Sequence, residues 1–274
     1  MGDVSPLLTA MRRVAVFLLM LALCPPAVFA ADLERGETVT VVEVLDGDTV
    51  VLDREIGRSG QVRLVGIEAP KPPLGRSPSR PWPPADAAKA TLEQLVAGKQ
   101  VTLFYDDARI DRYGRLRAHL YRDDGLWVQG EMLRRGMARV HTSPDNRALA
   151  AEMLVLEREA RAARRGLWRD PFYVVRTPEQ AADHVDSFQI VEGRVLNTAR
   201  VKSRVYLNFG DDWRTDFTVS LPTKLLPAFD AAGIAPLALK GKVIRVRGWL
   251  TAYNGPMIDL THPEQIEVVG EPWP

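Results

Sequence analysis

Apolar and polar positions alternate along much of this chain, and the alternation is broken in four places by helical spacing. Thr38 to Leu52 reads as two strands around Asp46-Gly47, since Val39, Val41, Val42, Val44, Val50, Val51 and Leu52 are strand formers and Asp-Gly is a turn pair. Gln61 to Ile67 is a third strand, and Gln100 to Tyr105 and Leu116 to Arg122 are two more. Helical spacing predicts a helix over Ala87 to Val96, closed by Gly98, and a second over Val128 to Arg135, stopped by Gly136. Ser143-Pro144 predicts the start of a long third helix, with serine as N-cap and proline in the first turn, running through Leu149, Met153, Leu156 and Ala160 to Gly166. Leu167 and Trp168 follow as an apolar plug.

Between the third strand and the first helix, Lys71 to Pro84 holds Pro72, Pro73, Pro78, Pro81, Pro83 and Pro84 with Arg76 and Arg80. Such a stretch excludes helix and central strand and predicts a stiff, basic surface loop. Arg176 to Asp186 is polar, and residues 173–187 are expected to form a linker. Beyond it, Gln189 to Leu196, Arg204 to Gly210 and Asp216 to Leu221 are strand-like, Leu225 to Ala232 is a short helix ended by Gly233, and Lys242 to Leu250, Met257 to Leu260 and Gln265 to Val269 are strands. Three strands, a helix and further strands is the order of a small OB-type barrel, so residues 188–274 are expected to be an OB-like domain.

Residues 1–30 do not read as part of the fold. Arg12 and Arg13 precede an apolar run from Val14 to Leu23, Pro25-Pro26 breaks it, and Val28-Phe29-Ala30 offers a cleavage site. This is the order of a secretory signal, and the run is too short to span a bilayer. The expectation is cleavage after Ala30, a secreted or periplasmic chain, and no stable membrane association afterwards. Cys24, the only cysteine, leaves with the signal, which rules out disulfides and cysteine-held metal in the mature chain. Removing these residues also leaves basic and acidic side chains in balance, so phosphate recognition has to be local rather than spread over a basic surface.

Four short segments carry candidate chemistry: Asp46-Gly47-Asp48-Thr49 after a strand, Arg63-Leu64-Val65-Gly66-Ile67-Glu68-Ala69-Pro70 leading into the proline loop, Asp111-Arg112-Tyr113-Gly114-Arg115 before another strand, and Gly166-Leu167-Trp168 after the long helix. Singly, each has a plain reading: Asp46 and Asp48 as turn caps, Arg63 as a surface residue paired with Glu68, Arg115 as a loop arginine beside Asp111, Tyr113 as turn packing. Together and in this order, from about Val39 to Trp168, they resemble the staphylococcal nuclease (thermonuclease) family.

The resemblance implies a β-rich α+β fold, a five-stranded OB-type barrel with three helices over residues 31–172. It implies a phosphodiesterase acting on DNA or RNA, single-stranded or denatured, with Ca²⁺ as cofactor. Asp48, Glu68 and the Ala69 carbonyl would be the metal ligands and Asp46 would support them. Arg63 and Arg115 would clamp the phosphate, and Arg112 and Tyr113 would line the nucleotide site. The residue types suit this chemistry, because carboxylates hold hard cations and a planar guanidinium grips two phosphate oxygens. No obligate protein partner is implied.

The sequence departs from the family pattern at Lys71, where the family has the glutamate assigned as general base. Glu68 also stands where the family has an aspartate. A protonated lysine cannot accept a proton, and such assistance is worth ~10²–10⁴ in rate. Three consequences stay open: Glu68 or Asp86 takes over, solvent hydroxide attacks unaided, or the domain binds nucleic acid without cutting it. In the second domain Tyr206, Phe209, Trp213, Phe217, Trp249 and Tyr253 are either core or base-stacking residues. Lys202, Arg204, Arg245 and Arg247 are expected on one exposed face. The four histidines lack ligand spacing, and none is assigned to zinc.

Overall fold

The computed structural model describes residues 33–72 and 82–270. The expected signal segment, the cleavage after Ala30, and Arg76 and Arg80 of the proline loop lie outside the described residues. The elements of the first unit are β1 (Glu34–Asp46), β2 (Thr49–Ile56), β3 (Ser59–Leu64), β4 (Ile67–Glu68), α1 (Ala85–Val96), β5 (Gln100–Tyr105), β6 (Leu116–Arg122), α2 (Val128–Arg134), β7 (Arg139–Val140) and α3 (Ala150–Ala162). Strands β1, β2, β3, β6 and β5 close into a five-stranded barrel in that order, with β3 and β6 parallel and the other pairs antiparallel. This is the barrel with three helices expected from the sequence. Val39, Val41, Val50, Val62, Leu64, Leu103, Ala118 and Leu120 fill the barrel and its helix-covered side with Leu92, Met132, Leu133 and Met153.

The third helix starts later than Ser143-Pro144 predicts. Its first helical residue is Ala150, and Leu149 at its N-cap makes no side-chain cap. Ser143 instead closes a turn, its carbonyl accepting from Asn146 N at 3.0 Å, while its Oγ donates to Asp145 and accepts from Arg117. The open amides ahead of the helix are met from a distance: Asp106 Oδ2 accepts from Arg147 N at 2.6 Å and Ala148 N at 2.8 Å. The Gly166-Leu167-Trp168 segment has a backbone reason. Leu167 N donates to Gly136 O at 2.8 Å, and a Cβ on Gly166 would stand 2.1 Å from that same oxygen. Glycine is what lets the two chain segments meet there.

The second unit comprises β8 (Phe188–Arg194), β9 (Asn197–Val201), β10 (Arg204–Asn208), β11 (Thr218–Pro222), α4 (Leu226–Ala231), β12 (Val243–Ala252), β13 (Pro256–Asp259) and β14 (Ile266–Val268). They form one seven-stranded sheet in which β12 carries β8, β13 and β14, and β11 runs parallel to β13. Val205, Leu207, Phe217, Val219, Phe229, Ile244 and Ile258 make its core.

The segment expected to be a linker is packed. Arg176 N donates to Ile190 O, Glu192 N donates to Arg176 O, and Ala181 is fully buried. Backbone pairing with β8 overrides its polar composition. Leu167, Trp168, Tyr173 and Ile190 share a small apolar cluster that joins the two units.

Charge also crosses that junction. Arg247 of β12 is 2% exposed and donates to both carboxylate oxygens of Glu157 in α3 at 3.0 Å and to Glu267 at 2.7 Å. Glu157 is completely buried, also takes Arg161 at 3.0 Å, and accepts from Val140 N at 2.6 Å. Burial opposes ionisation of Glu157, but Arg247 and Arg161 hold its carboxyl below the usual range. His262 meets Thr142 at 2.7 Å, and Arg147 pairs with Glu264 at 2.8 Å, across the same boundary.

Candidate active site

The site begins at the β1–β2 turn. Asp48 N donates to Asp46 Oδ1 at 2.9 Å, which folds the turn onto its own side chain. Gly47 presses against the neighbouring chain, where a Cβ would come 2.6 Å from Ala69 Cβ. This packing leaves Asp48 with no exposure at all. Its Oδ2 accepts from Ala69 N at 2.7 Å. Its Oδ1 contacts both the Arg63 guanidinium and the Lys71 ammonium. Burial works against the charged form, yet Arg63 and Lys71 keep the Asp48 carboxyl below its ordinary range.

Arg63 sits directly across from Thr49 in the β2–β3 register. It donates to Asp48 O at 3.2 Å and to Ile67 O at 3.1 Å, so its plane is fixed by two backbone carbonyls. Lys71 completes the group by donating to Asp46 Oδ2 at 2.9 Å. Asp46, Asp48, Arg63, Ala69 and Lys71 therefore converge. Asp86 lies exposed in the first turn of α1.

Glu68 faces another cation. Its Oε2 accepts from Arg139 Nε at 3.0 Å and Nη2 at 2.7 Å. Burial raises the Glu68 carboxyl, while Arg139 and His141 outweigh that and lower it. Burial in turn pushes the His141 imidazolium down, against the pull of Glu68. Arg139 is itself buried, donates to Phe188 O at 3.2 Å, and lies over the rings of Phe188 and Tyr173 at 4.4 and 5.7 Å.

The third segment forms a tight loop on Asp111. Asp111 Oδ1 accepts from Tyr113 N at 2.8 Å and Arg115 N at 3.0 Å, and Oδ2 accepts from Arg115 Nε at 2.7 Å. The Tyr113 ring is exposed, with Arg112 and Arg115 over it at 4.9 and 5.3 Å. The β3–β6 register pairs Val62 with Leu116 and Arg63 with Arg117. Val62, Leu64, Leu116 and Ala118 point into the barrel, so Arg63 and Arg117 share its outward face.

Arg117 and Arg139 were not singled out by sequence. Arg117 stands beside Arg63 and is held by Asp145 at 3.0 Å. Its alternation with the buried Leu116 and Ala118 was the available signal. Arg139 had none, because its partners Glu68 and Phe188 are remote in sequence.

Calcium needs about six to eight oxygen ligands, with carboxylates free to turn toward it. Here the acidic set faces cations of the chain itself: Asp46 and Asp48 hold Lys71, Asp48 also holds Arg63, and Glu68 holds Arg139. Among the described residues no three of His, Cys, Asp and Glu come together as a metal-binding group. The donor set as arranged does not fit the ion that the resemblance implies.

The exposed basic face expected in the second unit does not form. Arg247 is buried with Glu157 and Glu267, Arg245 pairs with Glu192, and Arg204 pairs with Asp259. Lys202 is exposed in the β9–β10 turn, while carboxylates and the other unit engage the three arginines. The aromatics divide. Phe209 and Phe217 are core, whereas Trp213, Trp249 and Tyr253 are exposed. Tyr206, Trp213 and Tyr253 line a cleft together with Asn197, Asn208 and Asn254.

The family described as staphylococcal nuclease homologue matches residues 61–170. An uncharacterized endonuclease of Escherichia coli O157:H7 is 39% identical over 133 residues, 47% of this chain and 76% of its own length. The thermonuclease of Staphylococcus intermedius is 28% identical over 134 residues, 49% of this chain and 77% of its own. Protein ParB of Escherichia coli is 36% identical over 178 residues, 60% of this chain and 88% of its own. With this barrel, the ordered motifs and relatives named endonuclease and thermonuclease, the chain belongs to the staphylococcal nuclease homologue family and is a nuclease.

Proposed function

We propose that this chain is an exported nuclease that hydrolyses phosphodiester bonds of single-stranded or denatured nucleic acid, with Arg63 and Arg115 stabilising the charge that gathers on phosphorus. The observation that carries the reading is the outward face of the parallel β3–β6 pair. Arg63 is fixed there by two carbonyls, and Arg115 is held by Asp111 in the loop that leads into β6, next to the exposed Tyr113 ring. A guanidinium held in place before the substrate arrives stabilises developing phosphate charge without reorganising. Tyr113, with Arg112 beside it, offers a face on which a base adjoining the scissile phosphate stacks.

In the reaction a water oxygen bonds to phosphorus, the bond from phosphorus to the leaving sugar oxygen breaks, and the water's proton passes through solvent to that oxygen. Lys71 donates to two carboxylates, and an ammonium has donors but no acceptor, so it does not serve as base. The rate is therefore expected to be lower, by ~10²–10⁴, than in a relative with a carboxylate there.

Residues 1–30 support export, which N-terminal sequencing of secreted protein would check. The second unit is a seven-stranded sheet rather than the closed barrel of the first, and its aromatic cleft suits unpaired bases. The test of function is digestion of heat-denatured DNA and of RNA by the mature chain. Cleavage that disappears in Arg63→Ala and Arg115→Ala supports the proposal. Intact substrate at high enzyme concentration, with binding retained in a gel shift, favours instead the binding-only reading that Lys71 also supports.

A further inference from the structure

The acidic turn already contains a cation. Lys71 Nζ stands 2.9 Å from Asp46 Oδ2 and contacts Asp48 Oδ1, bridging two carboxylates. Its side chain is 18% exposed and its two partners are 17% and 0% exposed, so the ammonium is largely inside the cradle rather than at its rim. Asp48 has no free oxygen: Oδ2 is taken by the Ala69 amide, and Oδ1 by Lys71 and Arg63. With Arg63 included, two carboxylates meet two cations and the cluster is neutral. Glu68 adds no charge to it, being neutralised by Arg139.

A divalent ion entering this group would have to expel Lys71 from between its partners. It would then sit within a few ångströms of two cations while gaining two carboxylates, far short of the oxygen set a calcium ion takes. An ammonium asks less. It is satisfied by two or three hydrogen bonds to oxygen and brings one charge. It is also tethered by its own backbone, whose carbonyl accepts from Trp82 N at 2.9 Å.

We infer that the Lys71 ammonium is the resident cation of this acidic cradle, and that the nuclease centre of this chain neither takes up nor depends on calcium. The dependence part rests on the nuclease reading above; the uptake part stands without it. Lys71 thereby acts as a positioning residue. It holds Asp46 and Asp48 in place, and Asp48 in turn holds Arg63 against the β1–β2 turn.

The experiment uses the mature full-length chain. Calorimetric titration with calcium chloride and thermal unfolding across the same range should show no saturable heat and no movement of Tm. In Lys71→Glu, calcium should produce a saturable heat and a Tm that climbs with its concentration. Lys71→Met, which removes the charge without adding a ligand, should fold with a lowered Tm that calcium partly restores. DNA cleavage by the native chain should proceed at rates within about twofold in EDTA and in calcium, since no bound metal supplies the charge stabilisation. One-to-one calcium binding by the native chain that vanishes in Asp48→Asn overturns the inference, as does cleavage abolished by EDTA and restored by calcium. Absence of cleavage in every buffer strikes the nuclease reading alone, and the calorimetry still decides what fills the cradle.

Discussion

Arg247→Met removes the centre of the charge cluster that joins the two units, and its cost can be worked from the contacts. Four hydrogen bonds are lost, two to Glu157 at 3.0 Å, one to Glu267 at 2.7 Å and one to the Val140 carbonyl at 3.5 Å, and Glu157 and Glu267 are left buried at 0% and 6% exposure. Methionine fills much the same volume, so the penalty is electrostatic rather than a cavity. Removing one member of a buried pair costs about 3–5 kcal/mol, because the remaining charge stays desolvated. Arg161 still reaches Glu157 at 3.0 Å, which puts the expectation at the lower end. Against a total stability of ~5–15 kcal/mol this is a large fraction. Urea unfolding followed by tryptophan fluorescence and far-ultraviolet circular dichroism would measure it. The fluorescence reports on tryptophans in both units, Trp168 at the junction among them, and the dichroism on both sheets. The native chain should give one coincident transition, and the variant two that separate. A loss below about 1 kcal/mol with coincident transitions would mean the cluster is not what couples the units.

Other outcomes follow from single contacts. Arg115→Ala should lower cleavage by ~10²–10³ while changing stability by under about 1 kcal/mol, since its pair with Asp111 is partly exposed; steady-state kinetics beside a melt would separate the two. Burial pushes the His262 imidazolium down to about 4 from its ordinary 6.5. The folded chain holds it neutral while the unfolded chain takes up a proton, so stability is intact above pH 6.5 and falls as pH drops toward 4, by up to about 3 kcal/mol. His262→Gln should flatten that slope, as stability measured at a series of pH values would show. Gly166→Ala should cost about 2–4 kcal/mol, because its Cβ would stand 2.1 Å from Gly136 O; an unchanged urea midpoint would refute the close-approach argument.

The barrel was legible because its signals are local. A β-branched run, an Asp-Gly turn and a glycine stop act on neighbouring residues, and the strands over Thr38 to Leu52 and the first two helices follow from them. The start of the third helix was not, because the carboxylate that meets its leading amides is Asp106, 41 residues before Arg147. Alternation correctly gave Arg245 and Arg247 a common side of β12. It could not say whether that side met water or another unit, and the partners Glu157 and Glu192 come from α3 and β8. The polar segment after Tyr173 looked like a tether for the same reason: its backbone pairing with β8 leaves no mark in its own composition.

At the candidate site the sequence brought out Asp46, Asp48, Arg63, Ala69 and Lys71, which the structure gathers, but not their pairing, and the pairing changes what the group can hold. Every site carboxylate answers a cation of this chain: Asp46 and Asp48 answer Lys71 and Arg63, Glu68 answers Arg139, and Asp111 answers Arg115. In the proposed reaction a substrate phosphate would therefore meet guanidiniums already half engaged, through the edges their partners leave open. That makes positioning the quantity the fold has to secure. Arg139 secures it from two sides, with Glu68 on one and the Phe188 carbonyl of the second unit on the other. One residue on, Val140 N donates to Glu157, which Arg247 also grips from that unit. The second unit thus reaches the candidate site through two adjacent residues of β7, and its contacts are built into the packing behind Glu68 rather than added beside it.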